Sequence, residues 1–175
     1  SARELGNLRW EGVFKGYSAG MLHECGEYRK AQDRYSQAVV LLHQVDSLRY
    51  EALFRACASA LSARDGDLDH ARSELAIARQ IVDKQGDPVF AAAVELCHGH
   101  VEVATWRRAL DHNDAVGMQN MQRALAERIA LVENVAEKDK RRFGAAARSL
   151  AMRSEDVRLA LRLLKPGGML SLITP

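Results

Sequence analysis

Cys97, His98 and His100 stand within four consecutive residues, and Cys and His are the side chains that ligate zinc and related metals. On a helix Cys97 and His100, three apart, share a face, while His98 points elsewhere. A tetrahedral site needs further ligands, and the sequence has no second Cys/His group with ligand spacing, so no metal and no cofactor are expected. Gly99 has a plainer role, because it falls in a row of small residues with Ala19 and Ser59 at intervals of 40. Nucleophilic catalysis needs a hydroxyl or thiol beside a base that a third group orients. Ser18 and Ser149 have no recognisable base, and the carboxylates are scattered over helix faces, so no catalytic residue is assigned. No Gly-x-x-x-x-Gly-Lys-Ser/Thr loop occurs to cradle phosphates.

Charge is concentrated once. Between Glu137 and Arg153, Lys138, Lys140, Arg141, Arg142, Arg148 and Arg153 stand against only Glu137 and Asp139. Such a segment could contact phosphates, but long cationic side chains more often cover the solvated side of a terminal helix. Trp106-Arg107-Arg108 offers one aromatic beside two arginines, too little for a base-stacking platform. The net charge of +2 is spread along the chain, so nucleic acid is not the expected partner.

The elements that carry these residues follow from repetition. Arg9-Trp10-Glu11-Gly12-Val13-Phe14 returns 40 residues later as Arg49-Tyr50-Glu51-Ala52-Leu53-Phe54, and its apolar part returns as Phe90-Ala91-Ala92-Ala93-Val94. Gly26, Tyr28, Ala31, Tyr35 and Ala38 likewise return as Gly66, Leu68, Ala71, Leu75 and Ala78. A period of this length with helical spacing marks stacked helical hairpins. They are expected at about residues 5–46, 48–86 and 88–133, punctuated by Gly26, by Asp46-Ser47 with Ser47 as N-cap, by Gly66, and by Gly86-Asp87-Pro88. In the third hairpin the register slips. Gly66 plus 40 lands on Trp106, whereas the turn is expected at His112-Asn113-Asp114, and the second helix would run over 115–133 with Gly117, Met121 and Ala124 inward. Amphipathic capping helices are expected at about 137–152 and 154–164, and 165–175 is a tail outside the single helical domain 1–164.

Gly26-x-Tyr28-x-x-Ala31-x-x-x-Tyr35-x-x-Ala38 resembles the second half of a tetratricopeptide repeat, with Ala19 and Leu22 at that family's small and larger packing positions. The 40-residue spacing is similar to the longer repeats of kinesin light chains and of bacterial signalling ATPases. The resemblance implies an all-α, right-handed superhelix of antiparallel hairpins, an α-solenoid closed by C-terminal capping helices. It also implies a concave surface lined by the first helices, where Tyr17, Cys57 and Cys97 form one row and Gly20, Ala60 and His100 the next. His23, Ala63 and Val103, then Glu24, Arg64 and Ala104, continue the surface. Its small, apolar floor lacks the Lys, Arg and Asn with which such domains grip chaperone tails. The run Ser154-Glu155-Asp156-Val157-Arg158-Leu159-Ala160-Leu161 resembles the end of repeat regions in large bacterial regulators. The stretch Leu163-Leu164-Lys165-Pro166-Gly167-Gly168-Met169-Leu170 resembles a segment of S-adenosylmethionine-dependent methyltransferases, but the helical chain before it supplies no parallel sheet or Gly-rich cofactor loop.

Composition agrees with this architecture. The chain has 175 residues, 47% of them apolar, and three prolines of which two fall at Pro166 and Pro175, so helix is favoured throughout and a continuous core is affordable. Cys25, Cys57 and Cys97 are odd in number and give no disulfide framework, which with the absence of a signal-like start points to the cytoplasm. The opening without Met is read as an excised piece of a longer protein. The expected function is a non-catalytic protein-interaction or regulatory module of a larger bacterial signalling or transcription-regulating protein. The expected partners are a protein or peptide, other domains of the parent chain, or a second copy, with no membrane. The alternative is a sensor that takes a peptide or small ligand in the concave groove at Tyr17, Gly20, His23, Glu24, Cys57, Ala60, Arg64, Cys97 and His100. An enzyme built on the Cys-His cluster or the methyltransferase-like tail is the remote third.

Overall fold

The computed structural model describes residues 2 to 111 and, further on, positions 123, 124, 126–128, 130, 131, 134 and 138. The described chain is all-helical and contains no strand. Its helices are α1 (Ala2–Glu24), α2 (Tyr28–Gln44), α3 (Leu48–Arg64), α4 (Leu68–Gln85) and α5 (Pro88–Asp111). Consecutive helices reverse across short turns and pack against each other, and α3 also packs against α5.

The reversals share one local cause. Gly26, Asp46, Gly66 and Gly86, spaced 20 residues apart, all have positive φ, between 53° and 94°. A left-handed residue just past a helix end turns the following N–H groups back onto the last carbonyls. At Gly26 the N–H donates to the His23 carbonyl (3.2 Å) and Glu27 N–H donates to that of Leu22 (2.9 Å). The same pair of bonds recurs from Asp46 and Ser47 to His43 and Leu42, and from Gly66 and Asp67 to Ala63 and Ser62. The 40-residue period is therefore two 20-residue helix-and-turn units. Asp46 carries the left-handed conformation without being Gly, at φ 53°, which Asp tolerates better than most side chains.

The next helices start in different ways. Asp67 accepts from the His70 N–H (3.2 Å), and Asp87 accepts from Val89 N–H (3.1 Å) ahead of α5, whose first residue, Pro88, has no N–H to satisfy. Ser47 occupies the N-cap position of α3, but its hydroxyl makes no capping bond, contrary to the role expected of it. Its backbone is already engaged on both sides, N–H to Leu42 and C=O to Glu51.

Packing follows the small residues. Ala31, Ala38, Ala71 and Ala78 have no exposed surface, and between them Tyr35, Leu42, Leu75 and Val82 fill the space toward the neighbouring helix. Ala19, Ser59 and Gly99, the small-residue row, are all buried. On α1 the glycines permit closer approach still. A Cβ at Gly12 would come 2.8 Å from the Leu42 side chain, and one at Gly16 would come 2.1 Å from the Phe54 ring. Phe54 lies where only a hydrogen leaves room.

The helix α5 continues through Trp106, itself buried, to Asp111. The turn expected at His112-Asn113-Asp114, the inner residues Gly117 and Met121, the capping helix 137–152 apart from position 138, the capping helix 154–164, the basic segment beyond Lys138 and the tail 165–175 lie outside the described residues.

Candidate functional site

Where the hairpins meet, aromatic side chains form a continuous seam. His23 contacts Tyr28 and Tyr35 edge-on, with ring centroids 5.9 and 6.4 Å apart. Tyr35 leans on Phe54 (6.1 Å), Phe54 stacks with Tyr50 (6.4 Å), and Tyr50 meets Phe90 edge-to-face (5.3 Å). The seam thus runs from the α1–α2 turn through α3 to the start of α5. Each end is closed by an arginine. The Arg64 guanidinium sits 3.5 Å from the centre of the Tyr28 ring, and Arg49 lies over Phe90 while bonding Asp87 at 3.3 Å.

The residues assigned to the concave groove divide along this seam. Tyr17, edge-on to Phe54 at 5.5 Å, is 37% exposed. His23 and Gly20 are half-buried, Glu24 and Arg64 are exposed, and a Cβ at Gly20 would touch the Tyr35 hydroxyl at 3.6 Å. These residues belong to the first hairpin and to the end of α3. By contrast Cys57, Ala60 and Cys97 are buried, and His100 is half-buried. Cys57, Ala60 and Cys97 close the rows where α3 meets α5, and the exposed groove residues, Tyr17, Glu24 and Arg64, lie at the first joint. Burial, followed by the nearby Tyr50 and Cys57, pushes the Tyr17 hydroxyl above its ordinary value. It is a protonated hydrogen-bond donor at neutral pH.

The metal-ligand types do not converge. Cys97 turns toward α3, where its sulfur lies 3.9 Å from that of Cys57; the two thiols, one repeat apart, are reduced neighbours in the core. Gly99 is buried, and His98 faces an ion-pair cluster instead. Among the described residues no group of three or more His, Cys, Asp and Glu side chains is placed to hold a metal.

Two charged clusters went unnoticed in the sequence. Glu51 is almost fully buried on α3, and its carboxylate accepts from Arg55 Nε (3.0 Å) and faces His43 Nδ1 (3.2 Å). Arg55 also donates to Glu74 at 2.6 Å, so the network links α2, α3 and α4. Burial opposes the Arg55 charge, but the bonds to Glu74 and Glu51 outweigh it and hold the guanidinium more firmly protonated. A signal was present, since Glu51 and Arg55 repeat the charged pair Glu11 and Lys15 one period earlier.

The second cluster surrounds His98. Arg79 of α4 bonds Glu95 at 2.9 Å, and Arg128 bonds Glu95 as well as both carboxylate oxygens of Glu102, at 2.9 and 3.0 Å. His98 stands between these carboxylates, 3.9 Å from Glu95 and 3.7 Å from Glu102. Because Arg79 and Arg128 already claim both acids, burial and then the two arginines push the imidazole down to about 4. It is neutral at physiological pH. Glu95, His98 and Glu102 lie at i, i+3 and i+7, a spacing legible as one helix face, but Arg79 and Arg128 are distant in sequence.

Cys57, Cys97 and His98 are therefore placed by packing or by ion pairing, and the exposed or half-buried groove residues of the first joint are a tyrosine, a glycine, a histidine, a glutamate and an arginine. No protein-family model matches the chain, and no curated protein and no solved structure is similar to it.

Proposed function

We propose that the chain is a tetratricopeptide-like α-solenoid that works without catalysis, by holding another polypeptide against the surface around Tyr17, His23, Glu24 and Arg64. The observation that carries this proposal is the aromatic seam from Tyr28 to Phe90, which ties successive hairpins into one stiff unit and leaves the seam's first joint accessible. A preorganised surface binds without having to be ordered first, which is how helical repeats commonly gain affinity. The long 40-residue period, similar to that of repeats in bacterial signalling ATPases, supports a regulatory place in a larger protein.

The partner chemistry that fits is an extended or helical segment with an apolar face and an acidic group. The apolar face would lie along Tyr17 and Gly20, and the acidic group would reach Arg64, whose position over Tyr28 keeps it oriented. Selection of peptides from a displayed library on the purified chain tests this. Enriched peptides should share an apolar pattern with an acidic residue, and Arg64→Glu should weaken them at least about tenfold, which corresponds to roughly 1.4 kcal/mol. Peptides that bind Arg64→Glu as tightly as the parent chain would sink the proposal.

The sensor is the second reading, favoured by the ring-lined corner of His23, Tyr28 and Tyr35. A small ligand there would raise the melting temperature in a metabolite screen, and His23→Ala would abolish the rise. No hit in such a screen removes it.

A further inference from the structure

The first helix exposes an apolar stripe whose counterparts in the next two repeats are buried or half-buried. Trp10, Phe14, Tyr17 and Met21 follow one another at intervals of four, three and four residues, so they line one face of α1. Their exposures are 58%, 67%, 37% and 71%. One period later the stripe reads Tyr50, Phe54, Cys57 and Leu61, and two periods later Phe90, Val94, Cys97 and Val101. At those places Phe54, Leu61 and Val101 are each 2% exposed and Val94 is 0%. Phe54 shows what covers it: Gly16, Tyr17 and Tyr35 of the preceding hairpin. The same register position is thus an apolar contact between helices in the second repeat, while on α1 its residues are exposed.

The stripe is also large enough to matter. With aromatic side chains contributing about 150–250 Å² each, the four residues expose roughly 500 Å², the size of the largest patch on a typical monomer, which is often a functional one. Two such stripes facing each other would bury about 1,000 Å², the lower limit for a specific interface. Charge does not oppose the meeting. From Trp10 to Met21 the only charges are Glu11 and Lys15, and they pair with each other at 3.5 Å. Trp10 and Phe14 already lean together, ring centroids 6.1 Å apart, as a ready aromatic anchor.

We infer that α1 is a self-association surface, on which a second copy of the chain docks through its own Trp10–Phe14–Met21 stripe to form a twofold dimer. The closed, isologous arrangement uses the same patch on both copies and leaves neither stripe open.

Sedimentation equilibrium of the whole 175-residue chain over a concentration series tests it. The parent chain should pass from monomer to dimer, and Trp10 fluorescence should shift to shorter wavelength over the same range. Phe14→Glu and Met21→Glu alter side chains that are already solvent-exposed, so both variants should keep the parent helicity by circular dichroism while the dimer dissociation constant rises at least tenfold. Val40→Glu, on an exposed position of α2 outside the stripe, should leave the constant unchanged. A parent chain that stays monomeric at several hundred micromolar would overturn the inference and point to a different polypeptide as occupant. So would a dimer indifferent to Phe14→Glu, or growth beyond the dimer, which would mean an open-ended rather than a twofold contact.

Discussion

His98 shows how a residue that looks like a ligand is redefined by its neighbours. Its imidazole is held neutral by burial and by Arg128 and Arg79, down to about 4 from an ordinary 6.5. The unfolded chain therefore binds a proton below about 6.5 that the folded chain does not bind until pH is near 4. Stability from this group is complete above pH 6.5, declines as pH falls from 6.5 toward 4, and changes no further below that. At about 1.4 kcal/mol per unit the upper limit is about 3 kcal/mol, and partial solvent access reduces it. Urea unfolding of the parent chain and of His98→Gln at about pH 7.5 and about pH 5 measures the effect. The parent should lose more stability between the two than the variant does; equal losses would mean that the imidazole titrates alike in both states.

At the scale of the helix, the same pair of residue types has different worth in successive repeats. Glu11 and Lys15 form an exposed i, i+4 pair at 3.5 Å, whereas Glu51 and Arg55 repeat it inside the molecule, with Glu51 2% exposed and Arg55 carried on to Glu74. Exposed pairs contribute between zero and about 1 kcal/mol, while breaking a buried one costs about 3–5 kcal/mol because its partner is left without a counter-charge. Arg55 keeps Glu74, so Glu51→Leu should cost nearer 2–3 kcal/mol by chemical denaturation. Glu11→Leu, measured in dilute monomer, should cost under about 0.5 kcal/mol. Equal effects from the two substitutions would mean that the buried network adds nothing. The turns between helices follow the opposite rule: they depend on local conformation, and Asp46 stands where the other three turns have Gly while keeping the hydrogen bonds of Gly26 and Gly66.

Across the described helices the core is one connected body, because α3 touches hairpins on both sides. Its thiols report on that body. Cys25 is exposed, while Cys57 and Cys97 meet at the contact of α3 with α5. In the native chain one thiol should react promptly with a small thiol reagent, and the other two should react together, at a rate set by opening of that contact. Glu51→Leu should accelerate the slow pair and leave Cys25 unchanged. Three thiols of equal reactivity would show that α5 separates from α3 without unfolding.

Much of this was legible in the chain. The echo of Arg9–Phe14 in Arg49–Phe54, the glycines at turns and the alanine rows determine helices, their ends and their inward faces, because these depend on local conformation and on spacing within one helix. What lies across helices was not. Cys57 and Cys97 read as groove lining but meet in the core, and Ser47 reads as a cap whose hydroxyl makes no capping bond. Identical positions in the repeat also differ in exposure, Phe14 at 67% against Phe54 at 2%, since burial is decided by what stands opposite. Sequence period determined which residues share a face; only tertiary packing decided which faces are covered, because contact between distant helices depends on side-chain volume and charge on both partners at once.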